Sequence, residues 1–196
     1  MKEIQIREVK AYILRRLTRE LPAHLDYHSV DHVQDVYDAC KKIAYAEGVS
    51  EPGLTLLLTA ALFHDSGFMV ASDEHEERSC VLASDILPQF GYGEPEIQAI
   101  CAMIRATKIP QSPTNLLEEI ICDADLDYLG RDDFETIGGR LFEELKYSGI
   151  LSTVEEWNNL QVSFLEQHYY FTRTSVETRG LKKQQHLSLL KNKLRH

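Results

Sequence analysis

The chain has 196 residues, 43% of them apolar and 27% charged. At roughly 100–200 residues per domain, this is one globular domain rather than a disordered or collagenous chain. The net charge of −10 argues against a nucleic-acid binder, and no apolar run approaches the roughly 20 residues of a membrane helix.

Taken in chain order, the sequence reads as helices. Apolar residues recur at i, i+3, i+4 and i+7, without sustained alternation over strand lengths. Ile6, Val9, Tyr12, Ile13, Leu17 and Leu21 form one stripe, stopped by Pro22. Val30, Val33, Val36, Tyr37, Cys40, Ile43 and Ala44 form a second, stopped near Gly48. Ser50-Glu51-Pro52 predicts the start of a third, with Ser50 as N-cap and proline in the first turn. That helix is expected to run to about Gly67. A fourth is expected from about Glu74 to Leu87, closed by Pro88, and a fifth from Pro95 to Thr107. The segment KIPQSPTN carries two prolines and cannot be helical throughout. Further helices are expected at about 115–128, 132–147, 153–170 and 174–194. Ser152, three residues before Glu155, predicts a capping box. The expected fold is an all-α, single-domain bundle of eight or nine helices over 1–196, with core motifs in 27–130 and C-terminal helices in 131–196.

Two further features bear on location and partners. The opening MKEIQIREVK lacks the apolar core of a signal peptide. Cys40, Cys80, Cys101 and Cys122 make no CxxC pair and lie in apolar helical stretches. Reduced buried thiols and a cytoplasmic location are therefore expected. From Arg179 onward there are six Lys/Arg and no acidic residue. Leu181, Leu187, Leu190 and Leu194 recur there at helical intervals, predicting an amphipathic helix docked on an acidic body.

Three segments carry chemistry. His64-Asp65 follows the apolar run LTLLLTAALF. A histidine and a carboxylate at the end of such a helix must find partners. A divalent metal is one solution and a hydrogen-bonded structural pair is the other. In Tyr27-His28-Ser29-Val30-Asp31-His32 the histidines are four apart; on a helix they would share a face. In Cys122-Asp123-Ala124-Asp125-Leu126-Asp127 helical geometry sets Asp125 away from Asp123 and Asp127. One aspartate is expected to face inward and the others water; spacing alone does not choose.

Taken together, Tyr-His-x-x-x-His, then His-Asp on an apolar helix, then Ala-Asp some 60 residues later resembles the HD superfamily of metal-dependent phosphohydrolases. YHSVDHVQDV is similar to the corresponding segment of cyclic-nucleotide phosphodiesterases, which share that fold. The resemblance spans residues 20–130. It implies His32, His64, Asp65 and Asp125 as metal ligands, Asp125 because Ala124-Asp125 matches the family's Ala-Asp. It implies His28 as the acid that protonates a leaving oxygen and Asp65 as a catalytic group orienting water. The implied cofactor is a divalent ion (Mn, Zn, Fe, Co or Mg), which can bring the pKa of water toward ~7, with a second ion left open.

The implied activity is phosphomonoesterase or phosphodiesterase chemistry on a small phosphorylated molecule, nucleotides foremost. His75, in His75-Glu76-Glu77-Arg78-Ser79, is a candidate over the site. Arg78 and Lys108 are candidate phosphate grips. A regulatory HD domain that binds metal and nucleotide without turnover is the alternative. The region 104–110 has no histidine, which speaks against the dinuclear enzymes and the metal oxygenases of this fold. Neither a membrane nor a nucleic acid is expected as a partner; self-association is left open.

Overall fold

The computed structural model describes residues 2–195. Among them are nine α-helices and no strand: α1 Lys2–Glu20, α2 Val30–Ala46, α3 Glu51–Phe63, α4 His75–Ile86, α5 Glu94–Ala106, α6 Leu116–Asp125, α7 Phe134–Tyr147, α8 Val154–Gln167 and α9 Arg173–Lys193. Short 3-10 turns follow α3 (Ser66–Met69), α4 (Leu87–Phe90) and α6 (Asp127–Gly130). No helix is long and apolar enough to cross a membrane.

The all-α expectation holds, and the boundaries differ where local hydrogen bonding overrides the apolar pattern. α3 stops at Phe63, and the chain tightens into the 3-10 turn that carries Gly67. The capping box at α8 sits one residue later than expected. Thr153 accepts from the Glu156 amide, and the Glu156 carboxylate accepts from the Thr153 amide. The extended backbone of Thr153 makes it the cap. Ser50 caps α3 by position, but its side chain makes no capping bond.

α3 is apolar on nearly every side, and Leu57, Ala60, Ala61, Leu62 and Phe63 are fully buried. A helix of that kind belongs in the centre of a core. It packs with α1, α2, α5 and α6 into one large apolar cluster. A second cluster joins Tyr27, Leu126, Tyr128, Leu129 and Phe134 to Leu165, Leu187 and Leu190 of α8 and α9. The C-terminal ends of α3 and α6 and the N-terminal end of α2 meet at the seam between the two. All four cysteines are free and buried in these clusters or between them, as expected.

The basic C-terminal helix α9 docks on the acidic body through Arg179–Asp127, Lys182–Asp132, Lys191–Glu166 and Lys193–Glu135 ion pairs. Leu187 and Leu190 are buried, but Leu181 is 75% exposed. At 3.6 residues per turn Leu181 lies about 120° round the helix from Leu187, outside the docked stripe. Lys183 takes a buried place there instead, donating to the carbonyl and to Nδ1 of His168. Gly130 makes the docking tight. A Cβ there would sit 2.5 Å from Arg179 Cβ and 2.6 Å from its carbonyl oxygen.

Two predictions follow from this packing. Gly130→Ala should push α9 off its seat and cost about 1–3 kcal/mol, read as a lower denaturant midpoint at unchanged slope. Burial, reinforced by the Lys183 charge, lowers the His168 pKa to about 3. The unfolded chain binds that proton near 6.5. The stability tied to neutral His168 is therefore full above pH 6.5 and drains as pH falls toward 3. Thermal unfolding from pH 7 to pH 4 should show that decline, and His168→Gln should flatten it.

Candidate metal centre and its cavity

His32 comes from the first turn of α2, His64 and Asp65 from the end of α3, and Asp125 from the last residue of α6. The side chains converge. His32 Nε2 lies 3.1 Å from Asp125 Oδ1 and 3.4 Å from Asp65 Oδ2. His64 Nε2 lies 3.1 Å from Asp65 Oδ2, 3.3 Å from His32 Nε2 and 3.5 Å from Asp125 Oδ1. The donor atoms of His32, His64 and Asp125 all fall within 4.8 Å of one another.

Three observations make this set fit a divalent cation. The first is spacing. Donors each about 2.0–2.2 Å from a shared ion lie roughly 3.0–3.6 Å from their neighbours, which is the range found here. The second is tautomer. His64 Nδ1 is 2.9 Å from the Ala61 carbonyl, which can only accept. The neutral ring therefore carries its proton on Nδ1 and turns the Nε2 lone pair toward the cluster, the orientation a ligand needs. The third is an unsatisfied atom: Asp65 Oδ2 is buried and has no hydrogen-bond partner. A buried acceptor without a donor is costly, and a cation would satisfy it.

Electrostatics agrees. Burial lowers the pKa of His32, but the Asp125 and Asp65 carboxylates outweigh it and raise it to about 9. The same contest, led on the raising side by Asp65, takes His64 well above its usual value. Burial raises both carboxylates, yet the imidazoles hold Asp65 well below the usual range and Asp125 at about 2. Two buried carboxylates thus draw two positive charges into the site. A divalent ion carries the same charge and replaces both protons.

Around this centre the chain sets a second ring of side chains. His28 precedes α2 rather than lying in it, because Ser29 caps the helix with its side chain on the His32 amide. The histidines four apart therefore do not share a helical face; their rings meet edge to face with centroids 6.3 Å apart. Glu144 of α7 holds His28 instead. Its carboxylate bonds His28 Nδ1 and accepts from the amides of Tyr27 and His28. Burial raises the Glu144 pKa, but the His28 contacts prevail and hold it low, so it is ionised at neutral pH. Phe68 is stacked between the His28 and His75 rings, at 4.1 and 4.2 Å between centroids. His75 Nε2 lies 3.6 Å from Asp65 Oδ1 and 3.4 Å from Glu76 Oε1. Ser79 ties this layer to α3: it donates to the His64 carbonyl and accepts from the Gly67 amide.

Of the candidate substrate groups, only His75 lines the cavity beside the centre. Arg78 turns back to the Asp73 carboxylate and carbonyl, its nearest acceptors. Lys108 is exposed, flanked by cavity residues but not lining it. The cavity holds about 220 Å³. Tyr27, His28, Asp65, His75, Glu76 and Asp125 are among its walls, as are side chains of α7 and α8.

The three aspartates of the 122–127 segment go separate ways. Asp125 joins the histidines. Asp123, fully buried, accepts from the amides of Phe171 and Thr172 and from the Thr172 hydroxyl at the start of α9. Asp127 is buried against Arg179 and Arg131. The expectation that the other two would face water is thus corrected: the strand of chain entering α9 and two arginines cover them.

Among solved structures, the chain is similar to a predicted HD superfamily hydrolase from an uncultured Thermotogales bacterium. The identity is 22%, with 96% of this chain and 90% of that chain covered and a TM-score of 0.63. The chain has the same fold as that protein. A Lactobacillus plantarum protein shares it at 17% identity, with 97% of each chain covered and a TM-score of 0.68. No family model and no curated protein matches the sequence. Within this fold, Glu144 and Phe68 are the side chains that sequence reasoning missed. Phe68 stands three residues after Asp65, but one aromatic in a turn gives no signal. Glu144 is an acid on an amphipathic helix far along the chain.

The two aspartates should separate by experiment. Asp123→Ala should cost about 2–3 kcal/mol of stability through unsatisfied groups at α9 while leaving metal affinity intact. Asp125→Ala should lower metal affinity at least 10-fold. Metal titration and thermal unfolding of both variants check this crossing.

Proposed function

We propose that the chain is a metal-dependent phosphohydrolase that cleaves a phosphate ester of a small molecule. The observation that carries this reading is the convergence of His32, His64 and Asp125 donors within 4.8 Å at the wall of a cavity that also meets His28 and His75. A neighbour of this fold named as a predicted HD superfamily hydrolase supports it.

In this reading His32, His64, Asp65 and Asp125 hold the divalent ion. When bound, that ion supplies a Lewis acid that lowers the pKa of water and offsets phosphoryl charge. Asp65 has two oxygens with different duties. Oδ2 faces the histidines; Oδ1, toward His75, accepts the proton of the attacking water. His28 hands a proton to the departing alkoxide. Glu144 acts through His28: its carboxylate fixes the ring by Nδ1. The Phe68 sandwich holds the His28 and His75 planes in register.

Release of phosphate from a panel of nucleotides and simple phosphate esters by Mn²⁺-loaded protein tests this. Asp65→Ala should abolish turnover with the fold intact. Glu144→Gln should lower kcat about 10–100-fold, within the range of one acid–base contribution, with KM little changed. Metal bound but no ester cleaved would leave a regulatory domain and contradict the proposal.

A further inference from the structure

We propose that the substrate is a phosphate monoester whose alcohol part is apolar and about the size of benzene or a short alkyl chain. This rests on the hydrolytic reading above and adds what the rest of the cavity dictates.

Asp65, Asp125, His28, His75 and Glu76 line the cavity beside the metal centre, and Leu126, Leu129, Phe134, Leu141 and Phe164, members of the second apolar cluster, line it with Trp157 and the polar Tyr27, Tyr128, Thr107 and Gln161. At its rim Ile109 and Leu160 are 53% and 43% exposed, so the apolar lining continues to the surface. No Lys or Arg lines it among the described residues. Of the nearby cations, Arg105 pairs with Glu77 and Arg78 with Asp73, while Lys108 stands exposed at the mouth between the lining residues Thr107 and Ile109.

Charge then limits the head group. A monoester brings about −1.5 to −2 at neutral pH, which one divalent ion can balance. Each further phosphate adds negative charge beside the Asp65, Asp125 and Glu76 carboxylates, with no cationic side chain in the wall to meet it. Polarity limits the rest. Away from the acids the polar lining is Tyr27, Tyr128, Thr107 and Gln161, with the Thr107 hydroxyl donating to the Ile104 carbonyl and the Gln161 amide to Asn158 Oδ1; most polar groups of a ribose and a base would instead meet leucine, phenylalanine and tryptophan, where unpaired polar groups are costly. Size sets the scale. A cavity of roughly 150 Å³ accepts benzene, and this one, about 220 Å³, also seats the phosphate, which leaves space for a part about the size of benzene or a short alkyl chain. Burial of each methylene should tighten binding roughly fourfold.

Trp157 is the only tryptophan of the chain and lines the cavity, so its fluorescence reports occupancy without turnover. Zn²⁺-loaded protein would be titrated with n-alkylphosphonates from ethyl to octyl, with AMP and with ATP. The dissociation constant should fall three- to fourfold per methylene through hexyl and then level off, with AMP and ATP binding more weakly than hexylphosphonate. Leu160→Lys at the exposed rim should flatten that slope and tighten ATP several-fold. Affinity independent of chain length, or ATP binding tighter than hexylphosphonate, would overturn the inference. In parallel, kcat/KM for the matching alkyl phosphates should rise with chain length on Mn²⁺-loaded protein. Turnover with no chain-length dependence defeats the apolar selectivity alone. Chain-length-dependent phosphonate binding without cleavage of any ester defeats the hydrolase reading instead.

Discussion

Two buried carboxylates and two imidazoles face one another at the seam of two apolar clusters, and the rest of the structure is organised around that concentration of charge. Leaving such groups unbalanced in a low-dielectric interior costs several kcal/mol. Each helix that meets the seam contributes a support. α3 offers its end, where the Ala61 carbonyl fixes the His64 tautomer. α4 ties that end down through Ser79. α2 starts one residue after Ser29 so that His32 can turn inward.

The C-terminal third of the chain takes part in the same centre. α7 delivers Glu144 to His28, and α7 and α8 contribute apolar walls to the cavity. α9 locks this unit to the motif-bearing helices through Asp123 and Asp127, the two neighbours of Asp125 in sequence. A short stretch around the end of α6 thus anchors both the chemistry and the C-terminal helix.

Most of the fold was legible because helices with one apolar stripe announce themselves by period. α2, α5 and α6 show it plainly, and α3 shows its central place by being apolar all round. The Ala124-Asp125 choice came from resemblance, since helical spacing treated the three aspartates alike. Spacing left open whether His28 shares a helix with His32; the Ser29 cap and the Glu144 carboxylate hold it outside α2. The errors have local causes. Leu181 fits an apolar interval but sits on the open face. Glu144 lies 116 residues from His28, and no one-dimensional pattern joins them. The cavity is also invisible in sequence, because its walls come from seven separated segments.

The central claim is that His32, His64, Asp65 and Asp125 share one divalent ion. Anomalous diffraction from crystals soaked in Mn²⁺, recorded at the manganese edge, tests it most directly. The account predicts a strong peak within about 2.5 Å of His32 Nε2, His64 Nε2, Asp65 Oδ2 and Asp125 Oδ1, lost in His64→Ala. A peak elsewhere, or none between these four atoms at saturating Mn²⁺, would contradict it.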